Sequence, residues 1–434
     1  MTRIVLVGAG SVEFTRNLLA DILSFPELHD AAIVLHDIDD DRLATAKRMA
    51  RWTASALGVE PDIEAHADRR VALKDADFVI NTIQVGGAAA TQVDFDIPRR
   101  YGLEYTINDT INVGGVMRGL RTIPVVLGLV RDMEELCPDA WFLNYTNPMS
   151  MLIWAVSERS RVRTVGLCHS VYWTIHALAE YLGVPQAEVD FESGGVNHLA
   201  FVLRLERSGA DLYPALDAVI RAGRIPDDDL VRPELYRRLG YYPTESSEHQ
   251  AEYNPWFIPK GLGERYHVPI GEYLRRVEAN LAEYEEEKRR LDAGEAFELE
   301  RSGEYAASII HSVVTGTPAR IVGNVSNADG LIANIDRAAC VEVPCLVDAD
   351  GPHPVGLGSL PAQLAAYIHP AVDAQGLTVR AALDRDRDAV YHAVMQDPIA
   401  QARLTLDEVW RMTSDLIAAE TAWLPRWLDG TQPD

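Results

Sequence analysis

The chain has 434 residues, 47% of them hydrophobic and 24% charged, which is the composition of an ordinary globular protein and argues against disorder. Its formal charge of −25 opposes nucleic acid or an anionic membrane as a partner, because phosphates would be repelled rather than neutralised. The four cysteines, Cys137, Cys168, Cys340 and Cys345, make neither a dense disulfide framework nor a closely spaced metal pair, which fits a reducing cytoplasm.

The first forty residues organise the rest. Ile4–Val7 is a short continuous apolar run, the pattern of a parallel strand buried on both faces. Gly8, Gly10 and Ser11 follow at once and lead into an apolar-periodic helix through Leu23, so backbone N–H groups can approach a pyrophosphate at a helix N-terminus. A second apolar run ends in Asp37, whose carboxylate can accept hydrogen bonds from ribose hydroxyls and repel the extra phosphate of NADP. The expected cofactor is therefore NAD. Glu13 occupies the third glycine position of the usual fingerprint, and Asp37 lies beyond the usual spacing of about 20 residues.

Further along, 41–57 has helical periodicity, and 76–82 reads as another buried strand. Its polar end makes Asn81 a cofactor candidate. The stretch 109–124 combines the pair Gly114-Gly115 with Arg118 and Arg121 and reads as a connecting loop that could cover a ligand. Strands follow at 140–144 and 164–170, with an apolar helix between them. Alternating strands and helices predict a Rossmann-type doubly wound parallel sheet over residues 1–195, followed by an α+β second domain over 196–434, as in lactate and malate dehydrogenases. In that second half, the acidic run 283–287 reads as a solvated helix face, 322–327 and 340–345 as sheet segments, and 378–427 as mostly helix. The apolar run after Arg3 is too short for a signal peptide, and no stretch approaches the roughly 18 apolar residues of a membrane span.

No P-loop, His-Glu-x-x-His or Gly-x-Ser-x-Gly motif occurs, so phosphoryl transfer, zinc proteolysis and α/β-hydrolase chemistry lose their main sequence supports. The residues alone suggest an NAD-dependent 2-hydroxyacid dehydrogenase with a histidine base from the second half. A non-catalytic NAD-binding sensor remains open as well.

Five ordered motifs change that reading: Gly8-Ala9-Gly10-Ser11 with Phe14-Thr15, Asn144-Tyr145-Thr146-Asn147-Pro148, Gly166-Leu167-Cys168-His169-Ser170-Val171, Gly195-Val196-Asn197-His198 and Cys340-Val341-Glu342-Val343-Pro344. Together they resemble glycoside hydrolase family 4, whose NAD-dependent members depart from the two-carboxylate mechanism of most glycosidases. The resemblance implies that Cys168 and His198 bind a divalent metal, usually manganese. Thiolate and imidazole by themselves suit zinc, so manganese requires hard oxygen ligands to complete the shell. It further implies transient oxidation of sugar C3 by NAD, removal of the C2 proton, elimination of the C1 substituent, addition of water and return of the hydride. The C2 base falls on Tyr253, with His249 as the alternative, and the leaving-group acid position on His169. Asn147, Asn197 and Arg118 are implied as substrate contacts, with Arg121 as a further substrate or cofactor candidate.

In the family, a Cys-His-Ser-Val turn goes with unphosphorylated α-galactosides. Tyr172-Trp173, however, departs from the usual Gln-Gly that follows it, which keeps α-glucosides and α-uronides open. A cytoplasmic homodimer or homotetramer acting on a small α-glycoside is the implied setting.

Overall fold

The computed structural model describes residues 1–299 and 301–428. Its strands are β1 (Arg3–Val7), β2 (Ala32–His36), β3 (Asp62–His66), β4 (Phe78–Asn81), β5 (Trp141–Asn144), β6 (Arg163–Gly166), β7 (Asp190–Val196), β8 (Leu199–Arg207), β9 (Ala210–Asp211), β10 (Tyr242–Pro243), β11 (Ala319–Ser326), β12 (Cys340–Asp348) and β13 (Gly351–Pro354). The first six pair in parallel in the order 3-2-1-4-5-6, the dinucleotide-binding order, whose topological switch lies between β1 and β4.

The expected doubly wound sheet is therefore present, and it has a physical cause. Ile4, Val5, Leu6 and Val7, like Ile33, Val34 and Leu35, are buried with helices on both faces, so neither strand needs a polar side. Edge strand β3 is partly exposed and carries little of that pattern.

Beyond β6 the sheet continues antiparallel through β11, β12, β7, β8 and β10. Both halves of the chain thus build one sheet, and the boundary expected at 195/196 falls inside β7. Its short hairpin with β8 leaves Asn197 and His198 as a two-residue turn.

Three sequence expectations are corrected. Residues 113–124 are not a loop but the start of the helix Val113–Leu136. The glycine pair serves close packing: a Cβ at Gly114 would lie 2.3 Å from the Asn108 carbonyl oxygen, and one at Gly115 2.4 Å from the Thr110 carbonyl carbon. By length and composition this helix could cross a membrane, contrary to the expectation that no stretch approaches that limit, yet 78% of its most apolar 18-residue window is buried inside the fold. The acidic run is also not wholly solvated. Glu287, on the helix Glu272–Asp292, is 3% exposed and pairs with Arg16 of the helix Val12–Ile22.

Candidate active site

The dinucleotide end of the sheet is built around Gly8. Its φ of +90° is left-handed, and a Cβ there would lie 2.9 Å from the Thr82 carbonyl carbon, so β1 and β4 can diverge around the loop only because no side chain intervenes. Asp37, just past β2, accepts the Gly10 N–H at 2.8 Å and the Asp39 N–H at 3.0 Å, which sets its carboxylate beside the loop. Ser11 is exposed, precedes the helix Val12–Ile22 and makes no capping bond. Asn81, at the end of β4, is fully buried; its amide donates to Asn144 Oδ1 at 2.8 Å and Thr146 Oγ1 at 3.2 Å, tying the ends of β4 and β5 together.

At the junction of the parallel and antiparallel parts, five titratable side chains converge. Ligand atoms of Cys168, His198 and Glu245 all lie within 4.8 Å of one another, and so do those of Asp109, His198 and His249. Cys168 arrives just after β6. His198 arrives on the β7–β8 turn, Asp109 just before the helix Val113–Leu136, and His249 on the helix Ser247–Glu252. Asn108, His198 and Glu245 all have left-handed backbones, with φ of 59°, 64° and 68°. Non-glycine residues held this way cost of order 1 kcal/mol each and cluster where side chains must be aimed.

His198 Nδ1 contacts Thr110 Oγ1 at 3.0 Å and the Tyr253 hydroxyl at 3.2 Å, so the expected base and metal ligand are neighbours. Burial alone would lower the His198 pKa, but the charges of Glu245, Cys168 and Asp109 outweigh it and raise the imidazole to about 10. Burial raises and the surrounding cations lower the carboxyls of Asp109 and Glu245; the cations win, and both lie below their ordinary range. His249 is lowered by burial and by the charge of His198, which leaves it neutral as a possible ligand. Burial first, then the carboxylates of Glu252, Asp109 and Glu245, push the Tyr253 phenol well above 10.

The remaining expected residues divide. Asn147 donates to Asp109 Oδ2 at 3.3 Å, and Arg118 reaches the same oxygen at 3.4 Å while donating to the Tyr273 hydroxyl at 2.8 Å, so both border the cluster. Asn197 is fully buried and donates to Glu342 Oε1 at 3.3 Å, which braces the turn that carries His198. His169 has an exposed side chain and pairs with Glu304 at 3.3 Å. That carboxylate raises the imidazole to about 9. Arg121 does not reach the site. It is 1% exposed and locked between Asp94 and Glu420.

Sequence reasoning missed Asp109, Thr110, Glu245 and Glu252. Glu252 is fully buried and accepts the consecutive N–H groups of Thr106, Ile107 and Asn108 at 2.9, 3.0 and 2.9 Å, which presents Asp109 to the cluster. Only Asp109 and Thr110 had a sequence signal, a polar run before an apolar helix.

A dinucleotide-type parallel sheet that meets its antiparallel extension at a cluster of a half-buried thiol with buried imidazole and carboxylate groups defines a cofactor-using enzyme rather than a structural protein. Residues 3–184 match the model for "Family 4 glycosyl hydrolase", and residues 193–400 that for "Family 4 glycosyl hydrolase C-terminal domain". The chain belongs to family 4 of the glycosyl hydrolases. It is 40% identical to an alpha-galactosidase of Bacillus subtilis (strain 168) across 98% of this chain and 100% of that protein. An alpha-galactosidase of Rhizobium meliloti (strain 1021) is 35% identical, with 98% and 89% covered. Among solved structures, the 6-phospho-beta glucosidase of Thermotoga maritima with manganese, NAD+ and glucose-6-phosphate superposes with a TM-score of 0.82 at 21% identity, covering 98% of this chain and 99% of that one.

Proposed function

We propose that this glycosidase hydrolyses a terminal, unphosphorylated α-galactoside by the redox-neutral route: oxidation at C3, deprotonation at C2, elimination at C1, addition of water and re-reduction. The observation that carries the reading is the 3.2 Å contact between the Tyr253 hydroxyl and His198, in the same cluster as Cys168. The length and identity of the match to two alpha-galactosidases support the choice of sugar.

The residues fit both helper groups. Gly8, Gly10 and Ser11 form a glycine loop at a helix start with Asp37 beside it, as a dinucleotide pyrophosphate and ribose require. Cys168, His198 and Glu245 would hold a divalent cation, and the hard carboxylate oxygen of Glu245 makes Mn2+ a better match than thiol and imidazole alone. When bound, NAD supplies a hydride acceptor and the cation a Lewis acid for the sugar oxygens. Tyr253 takes the C2 proton, and its high apo pKa means that the phenolate needs a nearby positive charge. His169, protonated near neutrality, hands a proton to the departing oxygen. Arg118 and Asn147 keep Asp109 in place beside the cluster.

The test is a panel of p-nitrophenyl α-galactoside, α-glucoside and α-galacturonide with and without NAD+ and Mn2+, run in D2O. The α-galactoside is cleaved with both helpers present and deuterium enters at C2. Cleavage of another member alone would reassign the sugar. Stoichiometric NADH with hydroxyacids and no glycoside cleavage would refute the route.

A further inference from the structure

Behind His169 lie two buried acids that the reaction just described leaves unused. The imidazole is 58% exposed, but Glu304, whose Oε1 lies 3.3 Å from His169 Nδ1, is only 9% exposed. Glu304 immediately precedes the helix Tyr305–Thr315. Asp21, 1% exposed near the end of the helix Val12–Ile22, pins the segment ahead of it. Its carboxylate accepts the Ser302 N–H at 2.8 Å, the Ser302 hydroxyl at 2.5 Å and the Glu304 N–H at 3.1 Å. From the other side the Tyr172 ring closes on Gly303, where an added Cβ would lie 3.2 Å from Tyr172 Cζ. The backbone that carries Glu304 is thus held in place on both sides, and its carboxylate meets the histidine from a fixed origin.

An exposed imidazole on a free side chain would sample several rotamers, whereas one anchored through Nδ1 presents Nε2 on its opposite edge in a single direction. We propose that Glu304, held by Asp21, is a positioning residue that aims Nε2 of His169 at the glycosidic oxygen. The inference rests on the reading of His169 as leaving-group acid. In the elimination, the electron pair at C2 forms the C1–C2 double bond and the C1–O bond breaks with its electrons passing to oxygen. That oxygen takes the proton from Nε2 of the imidazolium, and the ring is left neutral with its remaining proton on Nδ1 toward Glu304. Misplacing the donor by about 1 Å costs about 100-fold in proton transfer, and the loss falls on substrates whose leaving group needs the proton.

The experiment compares kcat/KM for p-nitrophenyl and methyl α-galactosides in wild type, Glu304→Gln and His169→Ala, with thermal unfolding as a fold check. A nitrophenolate leaves without much help, and methoxide does not. In Glu304→Gln the aryl-to-methyl ratio rises about 100-fold, and C2 exchange with D2O continues. Equal loss on both substrates, or an unchanged ratio, overturns the proposal and leaves Glu304 a structural residue. If His169→Ala does not change the ratio, the acid reading itself falls; if it does and Glu304→Gln does not, only the role of Glu304 falls. Should Glu304→Gln not fold, Glu304→Asp withdraws the charge by one methylene, and a wild-type ratio there overturns the proposal equally.

Discussion

Protons and a divalent cation should compete for His198. In the metal-free protein the ring is raised to about 10, because Glu245, Cys168 and Asp109 together outweigh burial, whereas an unfolded chain would hold it near 6.5. A pKa raised on folding adds stability that is complete below about 6.5 and disappears as pH climbs through about 10, so the metal-free protein weakens across that window. A cation needs the neutral ring. At pH 7 it must displace a proton held about three pH units more tightly than solution supplies, a cost of about 4 kcal/mol at 1.36 kcal/mol per unit. Mn2+ affinity should therefore climb about tenfold per pH unit above neutrality for the histidine alone, with at least one proton released per ion. Calorimetric titration in two buffers of different ionisation enthalpy measures both quantities. Flat affinity and no proton release between about pH 7 and 9 would show that His198 is already neutral, and would refute the electrostatic account of the cluster.

Three substitutions probe the remaining parts. Cys168→Ser removes the thiol from the Cys168, His198 and Glu245 set, so Mn2+ affinity falls at least tenfold while NAD binding, followed by fluorescence quenching, survives. Gly8→Ala forces a side chain into a φ of +90° and against the Thr82 carbonyl carbon at 2.9 Å. It should cost about 2–4 kcal/mol and weaken NAD binding, read by denaturant unfolding and by titration. Arg121→Met leaves Asp94 and Glu420 facing each other without their shared cation, a loss of about 3–5 kcal/mol in denaturant unfolding.

Much of the first half was legible because its signals are local. Four successive apolar residues ending in Gly8 are enough to place β1 at the centre of a parallel sheet, and the run ending at Asp37 places its neighbour. Strand β3 escaped notice because an edge strand with one face in water keeps few apolar residues. Gly114 and Gly115 suggested a flexible loop, yet their missing side chains answer a packing demand made by Asn108 and Thr110. The acidic run misled at one position, Glu287, because the partner that draws it inward, Arg16, lies 271 residues away.

By itself, the sequence determined the dinucleotide half, which rests on short runs of residues read directly, and the family, which rests on five ordered motifs; the pairing of Cys168 with His198 was legible only as an implication of that family resemblance. Tertiary structure alone decided that Glu245, Asp109 and His249 join them, that Glu252 presents Asp109, and that Asp21 and Glu304 stand behind His169. Those groups are brought together by strand order and loop closure from segments up to hundreds of residues apart. A single carboxylate on its own segment looks the same whether it will face water or a buried imidazole.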